Sequence, residues 1–444
     1  MNSIKQLFGG NIRQFGMVFA LAALIVFFQV ATSLKAAGTP WADGNVLIAS
    51  NVQNIVNGYA YVMVLAIGMV MVIILGHIDL SVGSVAAFVG IVVATASGTW
   101  GMPWWVCIVI GLGMGALAGA WQGFWVAYVG IPAFITTLAG MMIFRGVNQI
   151  IGKQNTVSVN EDLTFIGGGY MPEVGPITGY NNLTLLLGLL AIAYLIWSTF
   201  RKRARSRKAG STLAPAWVDG VRVALICIVV AFATYLFATG SPGTSFPVVG
   251  IVLIVLVALY QFLTSRTVSG RAIYAVGGNR QAARLSGIND KKVDFFVMMN
   301  MSMLAAVAGM IFVSRAQASG PLDGTGWELD AIASVFIGGA AVSGGVGTVI
   351  GSIIGALVMA VLNNGLQLMS SPQSTTYVVK GLVLLIAVAF DVWSKKQGKP
   401  SLIGAMQRTL RGGGSGGPKP TPEQAAAGIT VPPIDSTKDA ASGK

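Results

Sequence analysis

Polar residues along this chain are sparse and clustered, and the apolar runs between them are long. Uncharged stretches near 20 residues recur from about residue 15 to about residue 392. An α-helix of that length crosses the hydrocarbon core of a bilayer. The pattern predicts twelve spans, at about 15–33, 56–76, 81–98, 104–128, 131–151, 182–199, 221–239, 246–264, 294–315, 329–343, 347–369 and 375–392. The tenth is short and suits a half-helix or a re-entrant segment. The most informative interruption is Gly76-His77-Ile78-Asp79-Leu80-Ser81-Val82-Gly83-Ser84, between the uncharged runs 62–76 and 85–99. Hydrocarbon cannot hydrogen-bond a backbone, so such a break persists only where protein or a water-filled cavity surrounds it. An ionisable group there is a functional candidate. A related break stands at Glu328-Leu329-Asp330.

Small residues refine the pattern. The fourth span carries glycines at 111, 115, 119 and 123, with Gly113 between, and the eleventh carries Gly347, Gly351 and Gly355. Glycine at every fourth residue lines one helix face and lets a neighbour approach closely. One striped helix follows the Asp79 break and the other follows the Asp330 break. With the third and tenth spans running in opposite directions, this arrangement is expected of an inverted repeat with a transport route near its interface.

Composition agrees with a polytopic all-α membrane protein of about 10–12 transmembrane helices. Of 444 residues, 54% are hydrophobic and 10% charged, against about 25% charged in soluble chains. Mean hydropathy is +0.74. The net charge of +13 is read by its location. With the N-terminus inside, Lys5, Arg13, the block 201–208, the set Arg266, Arg271, Arg280, Arg284, Lys291 and Lys292, and the tail lysines 395, 396 and 399 all lie on the cytoplasmic side. The outer segments hold Lys35 and Lys153 against Asp43, Glu161, Asp162, Glu173 and Asp323. The bias predicts an even number of spans with both termini cytoplasmic. It reads as a topology signal beside anionic lipid rather than a nucleic-acid surface. The first span has no convincing small-residue cleavage site after it and reads as a retained helix.

Several chemistries are disfavoured. Cys107 and Cys227 both sit in apolar runs and read as buried small hydrophobes. His77 is the only histidine, which argues against histidine-cluster metal sites and a Ser-His-Asp triad. The glycine-rich stretch 344–352 has no lysine before its Ser352, so it is not a phosphate loop. Gly111-Leu112-Gly113-Met114-Gly115 has no preceding strand and fails as a dinucleotide fingerprint. No catalytic constellation emerges, so powered transport would need an ion gradient or a nucleotide-hydrolysing partner.

The remaining signals concern transport. Pro132 suits the first turn of the fifth span. Thr136 and Thr137 are hydroxyls in an apolar helix, which either bond the preceding turn or face a path. Arg145 either snorkels outward or pairs within the bundle. Residues 199–220 read as a mobile cytoplasmic connector. In 265–293, Asn279 is suited to capping a short helix and Gly287 to ending it. That helix reads either as a docking surface for a soluble partner or as lying on the membrane. Beyond about residue 395 the composition turns to Gly, Pro, Ala, Ser and Lys, which predicts a disordered cytoplasmic tail over 396–444 after a transmembrane domain of 1–395, with 402–410 able to touch the membrane surface. Asp79 and Asp330 stand open between three roles: helix cap, substrate contact, or ion relay.

Four stretches in order, 76–84, 131–146, 275–288 and 328–347, resemble the permease subunits of bacterial ABC importers for monosaccharides, the ribose, xylose, arabinose and galactose group. The resemblance covers about 45–392. The tryptophan-rich 121–128 and the length, which allows an extra helix pair around 182–239, look closest to the xylose or multiple-sugar branch. The tail departs from the family pattern. The resemblance implies a vitamin-B12-type permease fold with an inverted repeat, in the bacterial plasma (inner) membrane. It implies no bound cofactor, ATP being bound by a separate ABC ATPase subunit. It also implies a periplasmic or lipid-anchored sugar-binding protein, a second copy of the chain, membrane lipid around it, and no nucleic acid. The helix with Gly278, Asn279, Arg280, Ala283, Arg284, Leu285 and Gly287 is then the coupling helix for the ATPase. Polar groups at the breaks, Asp79, Ser81, Ser84, Thr136 and Thr137, with Asn363 and Asn364 of the eleventh span, would line the path of a neutral sugar, with selectivity mostly in the binding protein; the asparagines equally suit helix–helix bonding. The alternatives are a cation-coupled sugar carrier using Asp79 or Asp330, and a membrane scaffold or receptor.

Overall fold

A computed structural model describes residues 12–35, 45–176, 178–208, 210, 215–239 and 244–396. Its elements in order are α1 (Ile12–Lys35), α2 (Ala49–Ile74), α3 (Val82–Ala94), α4 (Trp104–Phe124), α5 (Ala133–Ile151), β1 (Val157–Ser158), α6 (Glu161–Gly168), α7 (Asn182–Lys208), α8 (Ala216–Ala238), α9 (Val248–Arg266), α10 (Val268–Gly278), α11 (Arg280–Leu285), α12 (Asp290–Ala316), β2 (Ala318–Ser319), α13 (Trp327–Ile337), α14 (Val349–Leu368) and α15 (Gln373–Lys396). Among the described residues, ten helices are long and apolar enough to cross a membrane. Each of the twelve predicted spans contains a helix. The tenth is α13, whose 11 residues reach about half the hydrocarbon thickness. The predicted tail, including 402–410, lies outside the described residues beyond Lys396, as do Lys5 and Asp43.

Burial sorts the helices. In α2, 89% of the most apolar window is buried, against 11% in both α7 and α8. A helix apolar on every side belongs in the centre of a bundle. The α7–α8 pair packs together, Gly188 against Thr234, and turns Leu189, Leu190, Ile228 and Val229 outward, as lipid-facing helices do. The connector expected over 199–220 is a correction. Residues 199–208 continue α7, and α8 begins at Ala216. Lysine and arginine are good helix formers, and Arg203 pairs with Asp219 across the two helices.

The glycine stripes do what their spacing predicts. A Cβ on Gly115 would stand 2.5 Å from the Ala306 Cβ, and one on Gly119 2.6 Å from the Met299 Cα. One on Gly123 would stand 3.1 Å from Phe295, so α4 descends antiparallel against α12. Gly113, off the stripe, faces open space. In α14, Gly351 meets Gly338 and Gly355 meets Ser334, so the striped helix lies against the half-helix.

The connections gather at two ends. At one, β1 pairs antiparallel with β2, Tyr170 bridges Pro247, and Lys35 bonds Ser370 at 3.0 Å. At the other, Gly345 N–H donates to Ile74 O at 2.8 Å and the Tyr274 hydroxyl to Gly347 O at 2.7 Å. The spans therefore alternate in direction along the chain. The segment 320–326 does not stay at its own end. It dips into the bundle until Gly324 touches Gly83, and a Cβ on Gly83 would also stand 2.6 Å from the Glu328 carboxylate. The two polar breaks therefore meet.

Candidate translocation and coupling site

After α2, Gly76 takes φ +79 and reverses the chain, a conformation that glycine adopts without strain. Asp79 follows, fully buried. Its Oδ1 accepts the Ser81 N–H at 2.8 Å and the Ser81 hydroxyl at 2.6 Å. Ser81 Oγ also accepts from Gln122 Nε2 of α4 at 2.8 Å. Thr137 of α5 accepts the Leu80 N–H at 3.2 Å. One cluster thus ties α4 and α5 to the break. The helix-cap reading of Asp79 holds in part: its carboxylate takes the Ser81 amide at the start of α3, but the formal N-cap is Ser81 itself, which makes no side-chain cap bond. Ser84 Oγ, Thr136 Oγ1 and Asp79 Oδ2 are buried with no hydrogen-bond partner among the described residues, so the region keeps bonding capacity to spare.

The second break is built differently. Gly326 starts α13 with φ +79. Asp330 is then the fourth residue of the helix rather than its cap, and Lys380 of α15 donates to its Oδ2 at 2.9 Å. The pair joins a buried carboxylate to a lysine that is 21% exposed at a cavity, the kind of pairing expected of charges inside a bundle. Asn363 of α14 lines a cavity beside this pair. Asn364 does not. Its amide exchanges two 2.9 Å bonds with Asn51 of α2, which makes it a helix–helix tie. Arg145 is half-buried and lies within electrostatic reach of Glu328.

At the opposite end from β1 and β2, the expected short helix forms as α11, separate from α10. Asn279 stands between the two helices, and its side chain accepts the Ala282 N–H at 2.9 Å to cap α11. Gly287, at φ +83, ends it with its N–H on Arg284 O at 2.9 Å. Gly278 packs under Gly345, and Ala283 is buried against the bundle. Leu285 is 85% exposed, and Arg284 stands beside it. The buried side of α11 holds an ion-pair network. Arg280 forks onto Asp294 at 2.5 and 3.0 Å and reaches Asp290 at 3.2 Å. Arg284 donates to the same Asp290 oxygen at 2.7 Å. The hydrogen bonds that the two arginines donate to these carboxylates raise both guanidinium pKa values further above an already high range. His77 Nε2 lies 3.2 Å from Asp294 and 3.3 Å from Arg280. The outward-facing helix is therefore wired to the residue two positions before Asp79, around a cavity of about 590 Å³ that also borders 126–134.

Sequence reasoning missed Gln122, Asp290, Asp294 and Lys380 as partners. Gln122 was visible as the one strong hydrogen-bonding side chain in a tryptophan-rich apolar run. Lys380 was visible as the charge in the interior of the twelfth span, whose other charge, Asp391, stands at its end, and an interior charge is itself a functional signal.

Residues 51–388 match the family described as branched-chain amino acid transport system / permease component. The chain belongs to this permease family. Among its curated relatives, the xylose transport system permease protein XylH of Haemophilus influenzae is 40% identical over 390 residues, covering 87% of this chain and 98% of that protein. The XylH of Escherichia coli K12 is 40% identical over 389 residues, covering 87% and 93%. The ribose import permease protein RbsC of E. coli K12 is 32% identical over 378 residues, covering 85% and 94%. No solved structure matches. The permease is thus a polytopic helical transport component, and nothing in these comparisons favours the cation-coupled alternative.

Proposed function

We propose that this chain is the membrane permease subunit of an ATP-driven importer for a monosaccharide, D-xylose or a related pentose or hexose. It is a transport component rather than an enzyme. The observation that carries the reading is the relationship, at 40% identity across nearly the full length of both chains, to xylose transport system permease proteins. The geometry of α11 supports it: a short capped helix whose tip, Arg284 and Leu285, faces outward while its buried side grips the bundle. In the family such a helix docks into a separate ATPase chain. ATP is bound there, and this chain needs no nucleotide motif of its own. A periplasmic or lipid-anchored binding protein delivers the sugar, and two copies of the chain form the vitamin-B12-type pathway in the bacterial plasma membrane.

Sidedness follows from charge. The end bearing Arg201, Lys202, Arg205, Arg266, Arg271 and Arg284 is cytoplasmic, and so are both termini. The Asp79–Ser81–Gln122–Thr137 cluster, with Ser84 and Thr136, then lies just above the cytoplasmic mouth. All of these groups are buried, so their spare hydroxyl and carboxylate positions meet a passing sugar or water only when the break opens during transport. The test is uptake of radiolabelled D-xylose into vesicles carrying the chain, the ATPase and the binding protein. Uptake should require ATP and survive collapse of the ion gradients. Uptake that follows the ion gradient with ATP absent would overturn the reading.

A further inference from the structure

One cavity has no part in the coupling network. It holds about 340 Å³ between α2, α13, α14 and α15, within the size range of small-molecule sites. Its wall combines an aromatic face with convergent polar groups. Tyr61 and Trp327 lie with ring centroids 4.2 Å apart. Asp330, Asn363, Gln367 and Lys380 line the same space. Asp330 is 3% exposed; Lys380 donates to its Oδ2, the Asn363 amide lies against the same carboxylate, and Oδ1 keeps no well-formed hydrogen bond among the described residues. A buried carboxylate oxygen left open is costly unless something donates to it.

The chemistry of the wall narrows what that donor is. Asp330 and Lys380 cancel in charge, so the cavity has no net charge to attract a free cation or anion. Two amides offer both donors and acceptors, the carboxylate accepts, and the ammonium donates. A hydroxyl group is itself donor and acceptor, and the C–H face of a sugar ring suits an aromatic wall. We propose that this cavity is a binding site for a neutral polyhydroxylated molecule, a transit station for the transported sugar beside the half-helix α13. The proposal rests on the transport reading above, and it places a contact site in the permease itself in addition to the selectivity of a binding protein.

The test uses the complete transporter in lipid vesicles. In a Cys107→Ala, Cys227→Ala background, Asn363→Cys is labelled with a small maleimide. D-xylose and D-ribose should slow the labelling, and the anion D-gluconate should not. Separately, Asn363→Leu with Gln367→Leu should leave ATP hydrolysis stimulated by the loaded binding protein but lower sugar flux about tenfold or more, as expected for two lost hydrogen bonds. Labelling unaffected by either sugar, with flux unchanged in the double variant, would overturn the site and show a water-filled cavity only. Absent stimulation in the unmodified transporter would instead remove the importer reading, and the site with it.

Discussion

Replacing Arg280 with Gln probes the link between α11 and the break at 76–81. Arg280 is 33% exposed and Asp294 only 7%. The substitution removes the two-pronged bond to Asp294 and leaves that carboxylate with His77 at 3.2 Å. Deleting one member of a buried pair costs about 3–5 kcal/mol. Water already screens part of this arginine, so a cost of about 2 kcal/mol is expected. That corresponds to about a 30-fold shift toward an undocked α11. The bundle itself should persist, because α12 meets the glycine face of α4 along Phe295, Met299, Ser302 and Ala306, away from the ion pairs. Hydrogen exchange of the amides in 280–288 reads the effect directly. They should exchange about 30-fold faster in Arg280→Gln if they open locally, with α2 and α12 unchanged, and ATP hydrolysis should lose its response to the loaded binding protein. Arg280→Lys keeps the charge but not the fork and should fall between. Unchanged exchange in 280–288 would refute the claim that Arg280 holds α11 to the membrane domain.

Further outcomes follow from other contacts. Arg284→Glu places a carboxylate beside Asp290 at the exposed tip and should reduce co-purification with the ATPase without affecting membrane insertion; intact co-purification would count against α11 as the docking element. Asp79→Asn keeps an acceptor for the Ser81 N–H and hydroxyl, so uptake should be largely retained, whereas Asp79→Ala opens the turn and should reduce it; loss of uptake in the Asn variant would show that the charge itself is required. Gly119→Leu drives a side chain into the α12 backbone and should abolish a monodisperse peak on gel filtration, while Gly113→Ala, facing open space, should behave as the parent protein. Asn364→Ala should lower the melting temperature through loss of the paired amides with Asn51, worth about 0.6–1.7 kcal/mol across a membrane interface, and a double-mutant cycle with Asn51→Ala should recover that coupling.

Much of the architecture is written in hydropathy, because a bilayer forces nearly every spanning segment into an apolar helix. That α13 is short was visible too, in the brief tenth run at 329–343, but the helix takes Glu328 and Asp330 into its first turn and ends earlier, at Ile337, where Gly338 caps it. The glycine stripes named a packed face but not its partner. Only the fold shows that α4 lies on α12 and α14 on α13, because a stripe of small residues is equally suited to any neighbour. The charged connector misled for a related reason: Arg201 to Lys208 mark the end of the bilayer, and a helix does not have to stop there. The site was legible only in part. Asp79, Ser81 and Thr137 stood out as polar groups at a break, and the fold brings them together. Their partner Gln122 lies 41 residues from Ser81, a separation no local pattern carries. Asn363 and Asn364, adjacent in sequence, point about 100° apart on a helix and so part company, one into a cavity and the other onto α2.

Under the proposed function, an energy-supplying partner drives transport through α11. The measurement that tests it most directly is ATP hydrolysis by the permease and its cognate ATPase, co-purified in lipid discs, with and without D-xylose-loaded binding protein. A stable complex is expected, with hydrolysis that rises with the loaded binding protein and falls back in Arg284→Glu. A verified partner pair that neither associates with the chain nor responds to it would contradict the account.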